Sequence, residues 1–323
     1  MKKTLKSIIV LSVIVCGFAQ GTTAKAAQIG QSAETTNSIT ITWQQDEDAE
    51  HYYIGYGEEY SAARDMADQK KIVLPKGTGS YTISNLKPGT EYEVRITYDY
   101  KSSYSSQMYD SAIGTFQAKT APAKVSNVHQ AKWWYFIENV DIEWDDQTAA
   151  TFECVVTDNK GKKIAENKDL RSARFNVTNV KNTKVYEAKV RSKVVVTRLD
   201  GKEYTLTSDW SDNAYLFTQP MVNTAKISGG KLKVTWKKVS GCTGYDVFVS
   251  TKEKSGYKKV KSLKANKNSV TISKFKGKKF SKKKTYFIYI VGKKKVGKAT
   301  YDSGRHYTYS LKKGNGKLNW TFD

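Results

Sequence analysis

Along residues 91–96, Tyr92, Val94 and Ile96 alternate with Glu93 and Arg95. Apolar and polar positions alternating with period two, carried by aromatic and β-branched residues, predict a strand with one buried face. Similar short runs predict strands at 38–43, 51–56, 71–74, 81–86, 91–100 and 112–118, after a polar lead-in over 28–37. Helix formers across 58–68 predict a short helical insertion or loop. Further along, strands are expected at 132–137, 139–144, 151–157, 173–180, 186–199 and 214–218. A last set is expected at 231–236, 245–250, 269–272, 285–292 and 298–301. Asp200-Gly201 marks a hairpin turn within this pattern.

The pattern repeats. Leu86 precedes Tyr92 by six residues, Val180 precedes Tyr186 by six, and Phe280 precedes Tyr286 by six. Each Tyr has a Trp upstream at the end of an alternating run: Trp43, Trp144 and Trp236, at separations of 49, 42 and 50 residues. These six residues are the expected structural core. A repeat of roughly a hundred residues predicts tandem domains, because solenoid repeats run about 20–50. The boundaries fall at 28–120, 121–220 (opened by Ala121-Pro122-Ala123) and 221–323, after a separate segment at 1–27.

The Pro88-Gly89 turn leading into Tyr92 resembles the tyrosine corner of β-sandwich domains. Together with Trp43 it resembles a fibronectin type III module. The segment from Trp236 to Tyr245 resembles the type III copies of many Gram-positive bacterial surface proteins. The resemblance extends over nearly all of the chain after residue 27 and is weakest in 121–220, whose corner lacks the Pro-Gly turn. It implies an all-β fold of three tandem fibronectin type III-like (immunoglobulin-like) sandwiches. It also implies that each corner Tyr hydroxyl bonds back to upstream backbone. Ser208-Asp209-Trp210-Ser211 resembles the Trp-Ser element before the last strand of such domains, where Trp210 would stack on Arg191 or Arg198.

Residues 1–27 read as a secretory signal peptide. Lys2, Lys3 and Lys6 precede an apolar run at 8–19, with small residues at 24–27. Cys16 follows Val15, where a lipoprotein signal wants a small residue. No later apolar run reaches 18 residues, so the expectation is an extracellular protein, secreted or held non-covalently at a cell wall. Cys154 and Cys242 fall at core positions of different modules, which argues against a disulfide.

Charge is segregated. Basic against acidic residues number 8 to 13 in 28–120, 15 to 14 in 121–220 and 27 to 4 in 221–323. The densest basic stretches bracket the strand beginning at Tyr286. They comprise Lys276, Lys278, Lys279, Lys282, Lys283 and Lys284 before it, and Lys293, Lys294, Lys295 and Lys298 after it. Lysines attract polyanions by screened Coulomb forces and counterion release, without the bidentate fork of Arg. An anionic surface or matrix polymer is the expected partner, such as a teichoic acid or a host glycan. The lack of interleaved Arg and stacking aromatics argues against dedicated nucleic-acid recognition.

His51, His129 and His306 are scattered, and no metal-ligand spacing, phosphate-binding glycine loop or nucleophile elbow occurs. Asp46-Glu47-Asp48-Ala49-Glu50 lacks the glycine a calcium loop needs. The expectation is a non-enzymatic interaction or adhesion protein without cofactors, whose first two modules meet a protein partner. A carbohydrate-binding accessory module would need aromatics in a row. Trp133, Trp134 and Tyr135 are consecutive and would point to opposite faces of a strand. A plain extracellular spacer is the remaining alternative.

Overall fold

The structure, a computed structural model, describes residues 28–131, 139–178, 180–181 and 183–320. The first set of elements is β1 (Ile29–Glu34), β2 (Ser38–Trp43), β3 (Ala49–Gly57), α1 (Tyr60–Asp68), β4 (Val73–Pro75), β5 (Ser80–Ser84), β6 (Glu91–Lys101) and β7 (Met108–Lys119). They form two antiparallel sheets, β1-β2-β5 and β4-β3-β6-β7, packed over one core. The expected helix is present. The expected polar lead-in is instead strand β1, whose burial does not alternate.

The second sandwich holds β8 (His129–Gln130), β9 (Val140–Glu143), β10 (Thr151–Asp158), β11 (Lys163–Leu170), β12 (Arg174–Val177), β13 (Val185–Thr197), β14 (Glu203–Thr207) and β15 (Ala214–Phe217). Its sheets are β12-β9-β8 and β11-β10-β13-β14, with β15 also on β13. The hairpin turn at Asp200-Gly201 joins β13 to β14, with the Gly201 N–H donating to the Arg198 carbonyl. The strand expected at 132–137 lies outside the described residues.

The third holds β16 (Val222–Ser228), β17 (Lys231–Trp236), β18 (Gly244–Ser250), β19 (Lys258–Lys264), β20 (Ser269–Ile272), β21 (Tyr286–Val296), β22 (Ala299–Asp302), β23 (Tyr307–Lys312) and β24 (Asn315–Trp320). Its sheets are β16-β17-β20 and β19-β18-β21-β23-β24, with β22 also on β21. Strands β11, β16, β19, β23 and β24 were not expected from the pattern. The edge strands β11 and β19 bury no residue fully, and β19 is rich in Lys, a composition that blunts edge pairing but hides the strand signal.

The core residues repeat from sandwich to sandwich. Trp43, Trp144 and Trp236 are buried and meet Tyr52, Phe152 and Tyr245 at ring-centroid distances of 5.6, 5.5 and 5.5 Å. Tyr92, Tyr186 and Tyr286 are buried, and their hydroxyl oxygens accept the N–H of Lys87, Lys181 and Ser281 at 2.8, 2.8 and 3.2 Å. Each bond reaches five residues back, so the ring both fills the core and fixes the turn before its strand. Trp210 lies under Arg191, 4.6 Å from guanidinium carbon to ring. Ser208 and Ser211 hydroxyls accept the N–H of Ser192 and Val190, tying this segment to β13.

Cys154 and Cys242 are free thiols buried in the second and third cores, and burial pushes both up to about 12.

Successive sandwiches meet end to end. The Gly89 carbonyl, in the turn before β6, accepts the Ala149 N–H, and Arg198 holds Glu34 bidentately at 2.6 and 2.9 Å. At the second junction Val185 N–H donates to Ser240, and Ser240 N–H donates to Thr183. Val185 and Phe217 of the second sandwich pack into the third core.

Candidate functional site

Between β20 and β21 the chain turns a corner that displays the first lysine stretch. Phe275 and Phe280 are buried, and Phe280 lies 5.0 Å from the Tyr286 ring. A tight bridge closes the turn, with reciprocal backbone bonds between Phe275 and Lys278 at 2.9 and 3.1 Å. With its aromatic residues committed to the core, the segment leaves Lys274, Lys276, Lys278, Lys279, Lys282, Lys283 and Lys284 exposed. None of these seven forms an ion pair among the described residues.

The second stretch is elsewhere and differently employed. Lys293 begins about 23 Å further along β21, at about 3.3 Å per residue. Its ammonium lies 3.0 Å from both Asp246 carboxylate oxygens. Burial opposes ionisation of Asp246, but the Ser262 hydroxyl, Lys293 and Lys259 outweigh it and hold the carboxyl below its ordinary range. Lys294 stands 5.5 Å over the Tyr215 ring of the second sandwich, where Tyr215 and Tyr301 meet at 4.8 Å. Lys295 and Lys298 are exposed on the β21–β22 hairpin. The ten lysines expected together therefore separate into six at the corner and four near the junction.

The pattern missed three others. Lys226, Lys231 and Lys233 are exposed on the outer face of the β16-β17-β20 sheet, and Lys226 sits directly across from Lys233. Like charges directly opposite on a sheet are destabilising. Lys231 and Lys233 could have been read from their alternation with the buried Leu232, Val234 and Trp236. Lys226 required recognition of β16. This face joins the corner at the β16–β17 turn, where Phe280 N–H donates to the Gly230 carbonyl at 2.9 Å and the Lys279 stem lies across Gly230. The described carboxylates of this sandwich are Asp246, Glu253 and Asp302, and none of them lies on the corner or on this sheet face. The result is one continuous lysine surface without internal counter-ions, suited to a chain of anionic groups.

Elsewhere several titratable groups have structural partners. His51 Nδ1 lies 3.1 Å from Asp99, and His306 Nε2 lies 2.9 Å from the Ser303 carbonyl. In the acidic loop, Asp46 accepts the Tyr98 hydroxyl and the Asp48 N–H. Among the described residues no group of three or more His, Cys, Asp or Glu is placed to hold a metal ion, and no helix is long and apolar enough to cross a membrane.

Residues 27–110 match the fibronectin type III domain family, from the start of β1 into β7. The match covers the first sandwich up to the beginning of its last strand. Among solved structures, the FN1–FN3 domains of chicken CNTN1 are 13% identical, covering 86% of this chain and 97% of that one, at a TM-score of 0.30. A two-domain fibronectin type III segment of chicken tenascin is 14% identical over 60% of this chain and 99% of that one, at a TM-score of 0.32. No curated protein matches the sequence. The chain is all-β and built as three tandem fibronectin type III-like sandwiches.

Proposed function

We propose that the chain is an exported, non-catalytic interaction protein whose third sandwich docks on an anionic polymer. The leader at 1–27, outside the described residues, directs export. The modules at 28–120 and 121–220 project away from the docked end to meet a protein partner. The observation that carries this reading is the lysine surface of the corner and the β16-β17-β20 face, which includes the unfavourable Lys226–Lys233 pair and no carboxylate. A merely solubilising face would be expected to intersperse both signs of charge. Lysine-only recognition fits closely spaced phosphate, carboxylate or sulfate groups on a flexible polymer.

Retention of residues 28–323 on intact cell walls, walls stripped of teichoic acid, and heparin, across a salt series, tests it. The parent is compared with a variant carrying Gln at Lys276, Lys278, Lys279, Lys282, Lys283 and Lys284, and with a control carrying Gln at Lys295 and Lys298. Binding that survives physiological salt, is lost in the six-site variant and persists in the control supports the surface. Equal loss in both variants, or release of the parent below physiological salt, returns the lysines to a solvated face.

A second reading is a carbohydrate-binding module, favoured by one observation. Tyr98, Tyr100 and Tyr109 line the β6–β7 hairpin at successive ring distances of 6.0 and 5.9 Å, next to Tyr104, which is 98% exposed. Trp133, Trp134 and Tyr135 lie outside the described residues. Retention on neutral glycans that is insensitive to salt and lost on Tyr109→Ala would favour this reading over the first.

A further inference from the structure

Among the described residues, α1 is the only helix, and it covers part of the outer face of the β4-β3-β6-β7 sheet. Ala63 and Ala67 are buried against β3 at Gly55, where a β-carbon would lie 1.9 Å from the Ala63 carbonyl oxygen. Only glycine permits this approach, so the helix position is set by the backbone of both elements. Beyond the helix end the cover stops. It leaves a cavity of about 370 Å³ lined by Asp68, Lys70, Arg95, Thr97 and Asp110, among others. That volume lies in the range of small-molecule sites.

The charges in this cavity are unevenly satisfied. Lys70 Nζ holds Asp110 at 2.8 Å and lies 4.5 Å over the Tyr53 ring, so these two charges answer each other. Arg95 differs. Its Nη1 donates to the Tyr60 hydroxyl at 3.3 Å, its Nε is enclosed and has no partner, and no carboxylate pairs with it among the described residues. Arg64, Arg174, Arg191 and Arg198 each hold a carboxylate at 2.6 to 2.9 Å. The enclosed Nε is out of a ligand's reach, and the terminal N–H groups of a guanidinium with no carboxylate partner remain for a carboxylate bound from the open side. On the helix side, Asp68 is exposed and forms no ion pair among the described residues, and it stands at the negative end of the helix dipole, which favours a cation.

We infer that this cavity binds a small zwitterion of the amino-acid class, its carboxylate on the Arg95 fork and its ammonium toward Asp68. Arg95 supplies two parallel N–H donors, which a lysine at that position could not. Thr97, beside Arg95 on the same strand face, adds a hydroxyl to the wall. The site is independent of the lysine surface and lies on a different sandwich.

The test uses residues 28–323 with glycine, triglycine, acetate and methylammonium as probes, read by the ¹H–¹⁵N signal of Arg95 Nε. Glycine is expected to shift this signal saturably, with acetate and methylammonium each at least about tenfold weaker because they satisfy one charge only. The triglycine arm distinguishes a free amino acid from a peptide. Arg95→Lys should weaken glycine binding about tenfold by removing the fork. Asp68→Asn, on the exposed helix end, should abolish the preference for glycine over acetate without altering the fold. Absence of a saturable shift with glycine and triglycine, or equal response to glycine and acetate, overturns the inference.

Discussion

Gln219 and Tyr307 are joined through three atoms. The Gln219 amide oxygen accepts the Tyr307 N–H at 3.0 Å, the amide nitrogen donates to the Tyr307 carbonyl at 3.1 Å, and the Tyr307 hydroxyl donates to the Gln219 carbonyl at 2.7 Å. The side-chain pairing recurs between Gln31 and Lys119 and between Gln130 and Phe217. In each sandwich a glutamine amide mimics one rung of a β-ladder and ties the opening segment to a strand of the other sheet, β7, β15 and β23 in turn.

Replacing Gln219 with Ala strands the backbone groups of a buried residue. The expected cost is about 1–3 kcal/mol, the penalty for an unsatisfied buried pair. Hydrogen exchange should show the loss as faster exchange in β16 and β23, with the first sandwich unchanged. Uniform acceleration across all three would refute a local tie.

At the first junction, Arg198→Ala removes the bidentate contact to Glu34, whose side chain is 8% exposed. Leaving that carboxylate enclosed and unpaired should loosen the junction more than the Glu34→Gln, Arg198→Ala double change does. Small-angle scattering should show a broader distribution of end-to-end distances for the single variant.

The Lys226→Glu substitution converts a like-charge pair into an attractive one. It should stabilise the third sandwich by about 0.2–1 kcal/mol while weakening retention on heparin. Loss of stability together with unchanged retention would show that Lys226 is not part of the binding surface.

Asp246 carries the acid sensitivity of the third sandwich. Its carboxyl is held below the ordinary value when folded, so its contribution is full above the unfolded value of about 4 and fades as pH falls below it. Urea unfolding should show this loss in the parent. Asp246→Asn should flatten it, at the expense of lower stability at neutral pH.

Cys154 and Cys242, pushed up to about 12 by burial, hold on the order of one thiolate in ten thousand at pH 8. Iodoacetamide should leave both unmodified in the native protein and label both in urea. Rapid native labelling of either would show that its core opens.

Several strands were legible because burial on one side imposes period two on the residues themselves. Strands β2, β17 and β20 fall within the bounds the alternation predicts. Strand β1 was hidden because Gln31, a polar residue, occupies a buried position in it, and the signal there is a hydrogen bond to a strand 88 residues away. Strands β11, β19 and β24 lie at sheet edges or beside them, where polar side chains carry no periodic signature. Arg191 rather than Arg198 stacks on Trp210, because the Ser211 N–H bonds to the carbonyl of Val190 and so sets the Trp210 segment beside Arg191.

The sequence by itself determined the repeating core: a Trp, a corner Tyr and the alternation between them are local patterns, imposed by the need to bury one face of each strand. It also determined the segregation of charge, which is a count. Tertiary structure decided what those charges do. It turned Lys293 onto Asp246 and Lys294 onto Tyr215, and joined Lys279 to Lys226, Lys231 and Lys233 across a turn. It also left Arg95 without a carboxylate under the end of a helix. Such relations depend on which distant segments meet, and the spacing of residues along a strand carries no record of the partner across it.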